Sequence, residues 1–317
     1  MWEHNQLNAF PIKSVLKNRS QLQGNTMVEN LDITALARKE KNEARREKQH
    51  RENAGRAEKM HAARIADSGE LFNAPALKQR YYIGCSGWFY WDWRGIFYPD
   101  TLSTSDWFPY YAEHFKTVEL NAPFYSWPTI ATVKSWIRQA QQKDFVYTIK
   151  ANELITHTKQ FRATQELVKD FGYIADILGA HMGCLLFQLP PSFHYTPARL
   201  KQILSQLEPH RRNVVEFRHA SWWNENVYAA FRKTGTIFCS CSGPKLPDEL
   251  IKTADEISVR FHGTKHWYRH NYSEEELAVW AKRIKDCDAK RVWIYFNNNY
   301  EGHAIRNAKT LTELLKS

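Results

Sequence analysis

Polar and charged side chains stand at the ends of otherwise apolar, β-branched runs through most of this 317-residue chain, and their types suit the movement of protons on an anion. Glu119 and Asn121 lie two apart in TVELN (117–121), Glu216 and Arg218 in NVVEFR (213–218), and Arg260 and His262 in EISVRFH (256–262). Lys150 closes FVYTIK (145–150), Gln188 stands next to last in GCLLFQL (183–189), and RVWIYFN (291–297) runs on into Asn298 and Asn299. Residues two apart on a strand share a face, so each pair points one way. A carboxylate beside a lysine or histidine is the equipment of general acid–base catalysis, with Lys150 or His262 also able to stabilise developing charge. Arginine forks bind phosphate or carboxylate oxygens two at a time. Glu119 and Glu216 against Lys150, Arg218 and Arg260 leave an excess of positive charge that His262 and His157 increase, so a small anion is the expected guest. For any one of these residues the competing reading is a charge network that fixes barrel register. Burying so many costs several kcal/mol each unless they are paired, and concentration of that cost at one rim points to a site.

The elements that must position these groups follow from the same runs. With YYIGCS (81–86) and TIFCS (236–240) there are eight, separated by helix-length segments. Strands so separated cannot pair as tight hairpins and must cross over and lie parallel. Eight βα units over residues 81–317 match a (β/α)8 barrel of the TIM type, whose functional groups gather where strands end and βα loops begin. The fold class expected is therefore α/β, with a barrel domain over 79–317 and an N-terminal extension over 1–78.

The first eighty residues carry 15 Lys and Arg against 10 Asp and Glu. Residues 1–30 lack periodicity and suit a disordered lead segment. Residues 34–66 have strong helix composition interrupted by Gly55, with too few apolar residues for core packing, so a solvated, ion-paired helix is expected and deletion of 1–78 should leave a folded barrel. Within the barrel, Thr196 with Pro197, Ser273 with Glu276, and Gly179 mark helix ends. The net charge of +10 and a pI near 9.3 favour anionic partners without choosing among them. The five cysteines show no ligand spacing, which suggests reduced buried thiols. No signal peptide or bilayer-length apolar run is evident, so a cytoplasmic chain that does not meet a membrane is expected.

The stretches IGCSGWFYWDWRGIFYP (83–99), FKTVELNAPFYSWP (115–128), FVYTIKANELITH (145–157), LLFQLPPSF (185–193), VVEFRHASW (214–222), VRFHG (259–263) and WIYFNNN (293–299) resemble the domain of unknown function 72 family, also called YecE-like. Seven motifs in order over residues 81–317 make the resemblance specific, and the first eighty residues lie outside it. It implies a TIM-type barrel and no settled activity. Cys85 stands where the family usually has a small residue such as Thr, and Ala122 where a polar residue usually precedes Pro123. The resemblance also implies a fold similar to sugar isomerases and to an apurinic endonuclease barrel, an analogy that does not transfer function.

The residues thus assign Glu119, Lys150, Glu216 and His262 to catalysis, and Trp88, Asn121, Tyr125, His157, Gln188, Arg218, Arg260 and Asn298 to substrate binding. The reaction expected is proton movement on a phosphorylated or sugar-like compound by an isomerase, lyase or hydrolase. Schiff-base use of Lys150 ranks low, because two nearby carboxylates would hold its amine charged. Competing Lys and Arg make a divalent metal costly at Glu119, Glu216 and His262, so no metal is expected. No nucleotide fingerprint is present, and no cofactor is expected. Trp88 and Tyr125 follow strand ends and could stack on a sugar or an extruded base. Nucleic acid bound by the basic arm is therefore the alternative partner.

Overall fold

The computed structural model describes residues 26–67, 77–140 and 144–316, with side chains from 36 onward. The chain divides into two compact units, Met1–His50 and Arg51–Ser317. The first helix, α1 (Thr26–Ala66), begins ahead of Thr34, and the rest of the 1–30 lead segment lies outside the described residues.

Eight parallel strands form the barrel of the second unit: β1 (Tyr81–Cys85), β2 (Thr117–Leu120), β3 (Val146–Lys150), β4 (Met182–Gln188), β5 (Asn213–Glu216), β6 (Ile237–Ser242), β7 (Glu256–Phe261) and β8 (Arg291–Phe296). Their order is β1-β8-β7-β6-β5-β4-β3-β2, as a wound (β/α)8 sheet requires. The helices between them are α2 (Trp107–His114), α3 (Ala122–Tyr125), α4 (Ile130–Ala140), α5 (Gln165–Leu178), α6 (Pro197–Leu204), α7 (Glu225–Thr234), α8 (Glu274–Asp286) and α9 (His303–Lys316). The expected helix ends are present. Thr196 caps α6, Ser273 and Glu276 form a reciprocal capping box on α8, and Gly179 closes α5 at a φ of 53°.

Strand alternation sorts the side chains. Tyr82, Val146, Cys184, Leu186, Val214, Ile237, Cys239, Cys241, Trp293 and Tyr295 fill the barrel interior, while the alternate residues pack beneath the helices. Tyr82 stacks on Trp293 with centroids 4.7 Å apart, and above them the Tyr295 hydroxyl meets Thr117 Oγ1 at 2.8 Å and Thr148 Oγ1 at 2.7 Å. These groups close the barrel below the strand ends and leave no pore.

The ladder has one seam, between β1 and β2, where no strand pairing is present among the described residues. Tyr111 spans it: its hydroxyl accepts from the Cys85 amide at 2.9 Å and donates to the Thr117 carbonyl at 3.1 Å. A Cβ at Gly84 would collide with that carbonyl oxygen, so the approach of the two strands requires glycine there.

The second half of α1 is not a solvated helix. Asn53, Ala57 and Met60, at helical spacing, are each buried to 2% exposure or less. Arg64 pairs with Asp170 at 2.8 Å and with Glu166 at 2.9 Å, and Tyr173 donates to Asp67. The stripe is narrow and made of small or polar residues, and for that reason it has no signature in composition. Asn53 holds the loop that follows β2 from both sides of its amide: Nδ2 donates to the Tyr125 carbonyl at 3.0 Å, and Oδ1 accepts from the Trp127 amide at 2.8 Å. Asn53→Ala should lower stability by about 1–3 kcal/mol, the cost of leaving buried backbone groups unpaired. Urea unfolding of the full chain reads this directly, together with faster hydrogen exchange at the Trp127 amide. An unchanged midpoint and unchanged exchange would show the contact to be incidental.

Candidate active site

At the carboxyl ends of the strands, three interior side chains build a buried array. Arg260, from β7, reaches across the barrel between the carboxylates of Glu216 on β5 and Glu119 on β2. Its Nη1 donates to Glu216 Oε2 at 2.5 Å, its Nη2 to Glu119 Oε1, and Ser86 Oγ donates to the same Glu119 oxygen at 2.8 Å. All three charged residues are at most 1% exposed. The second oxygen of Glu119 has no partner among the described residues.

A further layer sits above. Arg218 Nε donates to Glu216 Oε1, its guanidinium lies 4.7 Å over the Trp267 ring, and its Nη2 is 3.1 Å from His262 Nε2. His262 Nδ1 is 3.2 Å from Asn297 Nδ2. Burial opposes a charge on Glu216, but Arg218 and Arg260 outweigh it and hold the carboxyl well below the usual range. Burial, then Arg218, pushes His262 well below its ordinary value, so it is neutral at pH 7. The expected added positive charge from the histidines is thereby corrected. His157 is likewise brought down to about 4 by burial and by Lys150 and Arg218.

Lys150 is the exception in this array. Its Nζ lies 4.1 Å over the Phe124 ring and has no hydrogen-bonded partner among the described residues. Burial first, and Arg260 second, lower its amine to about 7, against the opposing pull of Glu216 and Glu119. The expectation that these carboxylates would keep the amine in the ordinary lysine range is therefore corrected, because burial and Arg260 outweigh their pull. Phe124 is positioned from three directions: Asn152 Nδ2 donates to the Pro123 carbonyl at 2.8 Å, Asn53 grips the loop just beyond, and His157 and Tyr125 meet the ring edge to face at 4.8 and 4.9 Å.

The remaining expected residues divide. Asn121 stands at the rim with Nδ2 3.4 Å from the Ser86 carbonyl and a buried Oδ1 that has no partner among the described residues. Gln188 lies opposite Glu216 in register, its amide donating to the Leu189 carbonyl at 2.8 Å. Tyr125 is 58% exposed beside Phe124. Trp88 packs edge to face on Phe108 of α2, which places it with the first βα unit. Asn298 is turned outward, bonding the His270 carbonyl and Asn307 Oδ1 of α9, each at 2.7 Å. Asn297 takes the inward place, because alternation from Trp293 and Tyr295 continues past the strand end. Ser86 follows by the same parity from Tyr82 and Gly84. Trp267 and Tyr268 have no strand to announce them. They are set by the turn at Gly263, whose φ of 103° admits a side chain only with strain and where a Cβ would lie 2.5 Å from the His266 carbonyl oxygen, so the position calls for glycine.

Glu216, Cys239 and Cys241 bring three ligand-type atoms within 4.8 Å of one another. They do not fit a cation. Glu216 is engaged by two guanidinium groups, and burial pushes the Cys241 thiol well up.

The state of Lys150 has a measurable consequence. An ordinary lysine keeps its proton up to about pH 10.4, so above pH 7 the unfolded chain holds a proton here that the folded chain sheds first. Stability contributed at this position therefore rises with pH across that window. Lys150→Met lacks the effect: it should exceed the parent chain in urea midpoint at pH 6 and lose that advantage by pH 10. A difference that stays constant with pH would refute the partly buried amine of lowered proton affinity.

Residues 82–317 match the family described as "Protein of unknown function DUF72". The UPF0759 protein YunF of Bacillus subtilis (strain 168) is 27% identical over 273 residues, covering 74% of this chain and 94% of that protein. The crystal structure of a DUF72 family protein from Thermotoga maritima MSB8 is 28% identical, covers 75% of this chain and all of that one, and superposes with a TM-score of 0.67. A DUF72 family protein from Enterococcus faecalis V583 has the same fold at 19% identity, with a TM-score of 0.64 over 75% of this chain and 96% of that one. The strand-end array lies wholly inside the matched segment and the Asn53 brace outside it, and the chain belongs to the DUF72 family.

Proposed function

We propose that this chain is an enzyme that binds a small anion, phosphorylated or sugar-like, at its strand ends and moves a proton on it. The observation that carries the reading is the contrast at the rim. Glu119, Arg260, Glu216 and Arg218 are paired with one another, whereas the Lys150 amine is left without a hydrogen-bonded partner among the described residues. An amine brought to about 7 is matched to giving and taking protons at neutral pH. Lys150 is the general acid or base in this scheme, and Glu119, through its unpartnered oxygen, is the second proton carrier. Glu216 and His262 hold Arg260 and Arg218 in place, and Arg218 supplies the fork that receives the anion. Asn121, Gln188, His157 and Tyr125 complete the wall, the tyrosine as a stacking face.

The nucleic-acid reading has less support. Of the basic residues on α1, Arg56 and Arg64 are already engaged with Ser126 and with Asp170. No helix among the described residues is long and apolar enough to cross a membrane.

Thermal melts of the full chain with inorganic phosphate, glucose 6-phosphate and a short oligonucleotide test the proposal. A ligand at a hundredfold excess over its Kd adds about 2.7 kcal/mol to the folded state. Glucose 6-phosphate should raise the melting temperature of the parent chain and shift Lys150→Met much less. Equal shifts in both chains, or a shift with the oligonucleotide alone that vanishes in high salt, would sink the proposal.

A further inference from the structure

We infer that Lys150 is a nucleophile as well as a proton carrier: its amine, seated on the Phe124 ring without a hydrogen-bonded partner beside the Arg218 and Arg260 guanidinium groups, forms an imine with a carbonyl-bearing anion such as a 2-oxo acid. The inference rests on the anion reading of the same site and extends it to a substrate class and a covalent step.

Three observations converge. A lysine becomes nucleophilic when it is desolvated or placed next to another cationic group, and Lys150 meets both conditions. Burial and then Arg260 bring its amine to about 7, so a large share is unprotonated at neutral pH. Its ring neighbour offers no N–H or O–H donor that would occupy the lone pair. Arg218 can take the carboxylate of a 2-oxo acid while the carbonyl carbon lies toward the amine. Glu119, one strand away, presents a carboxylate oxygen with no partner among the described residues, suited to relaying the protons of the addition.

The step balances without an oxidant. The Nζ lone pair attacks the carbonyl carbon and forms the C–N bond, while the carbonyl π pair moves to oxygen. The oxygen then leaves as water with the two protons lost by the amine, and the product is the C=N bond. An imine so placed draws electrons from the adjacent carbon, which is how proton movement next to a carbonyl would be assisted.

Reductive trapping tests the inference. The full chain is incubated at pH 7 with glyoxylate and sodium cyanoborohydride, whose hydride reduces the imine, and labelled peptides are quantified by mass spectrometry. Lys150 should be carboxymethylated at an initial rate about a hundredfold or more above that of exposed Lys282, since an ordinary lysine is almost wholly protonated at this pH. The ratio should shrink toward pH 10, and inorganic phosphate should slow only the Lys150 site. Labelling of Lys150 no faster than Lys282 overturns the imine. If phosphate still stabilises the chain in that case, the anion reading survives alone. Fast labelling that phosphate neither slows nor accompanies with stabilisation supports the imine and counts against the anion reading.

Discussion

The burial of Arg260 between Glu119 and Glu216 is the constraint on which the upper half of the barrel depends. Two carboxylates from strands on different sides of the interior converge on one guanidinium, and none of the three reaches solvent. Desolvation of such groups is recovered only with good geometry and full hydrogen bonding, and removal of one partner leaves an uncompensated buried charge worth about 3–5 kcal/mol. The array therefore ties β2, β5 and β7 at a defined height. It also consumes the negative charge available to the rim. Glu216 serves Arg260 and Arg218 together, and the pull of the two carboxylates on Lys150 is outweighed by burial and by Arg260.

Positioning of that amine extends well beyond the barrel interior. Phe124 sits on the short helix after β2, and the same segment is held by Asn152 after β3 and by Asn53 of the N-terminal helix. The β1–β2 seam, which carries Ser86 on one side and Glu119 on the other, is closed by one tyrosine hydroxyl in place of a ladder. The seam bridged by a side chain and the loop gripped from outside both border the strand-end array.

Much of this architecture is legible in the chain. Period-two patterning places all eight strands and puts Glu119, Glu216, Arg218, Arg260 and His262 on one inner surface, because a strand's alternation is a geometric property of the backbone. Resemblance to known motifs supports the same barrel. What escapes are properties that depend on neighbours distant in sequence. The protonation of Lys150, His157 and His262 follows from burial and from which partner each carboxylate has already taken. Asn298 stands in for Asn297 in a reading by residue type, because three consecutive asparagines look alike until the inward parity is followed past the strand end. The packed face of α1 consists of Asn53, Ala57 and Met60, residues that carry too little hydrophobicity to mark it.

A network kept only to fix register would be expected to close on itself, since every unpaired buried polar atom is a cost without return. Among the described residues this one does not close: Arg260 Nε, one oxygen of Glu119 and Asn121 Oδ1 have no hydrogen-bond partner, and the Lys150 amine rests on an aromatic face. A neutral amine is the form of lysine that burial tolerates best, and below the ordinary lysine range the protein holds it so at a cost in stability. The same neutrality gives nitrogen a free lone pair. Burial and reactivity thus favour one protonation state at Lys150, whereas at Glu216 and Arg260 ion pairing dictates the charge, and this contrast is why the proposed chemistry is assigned to Lys150.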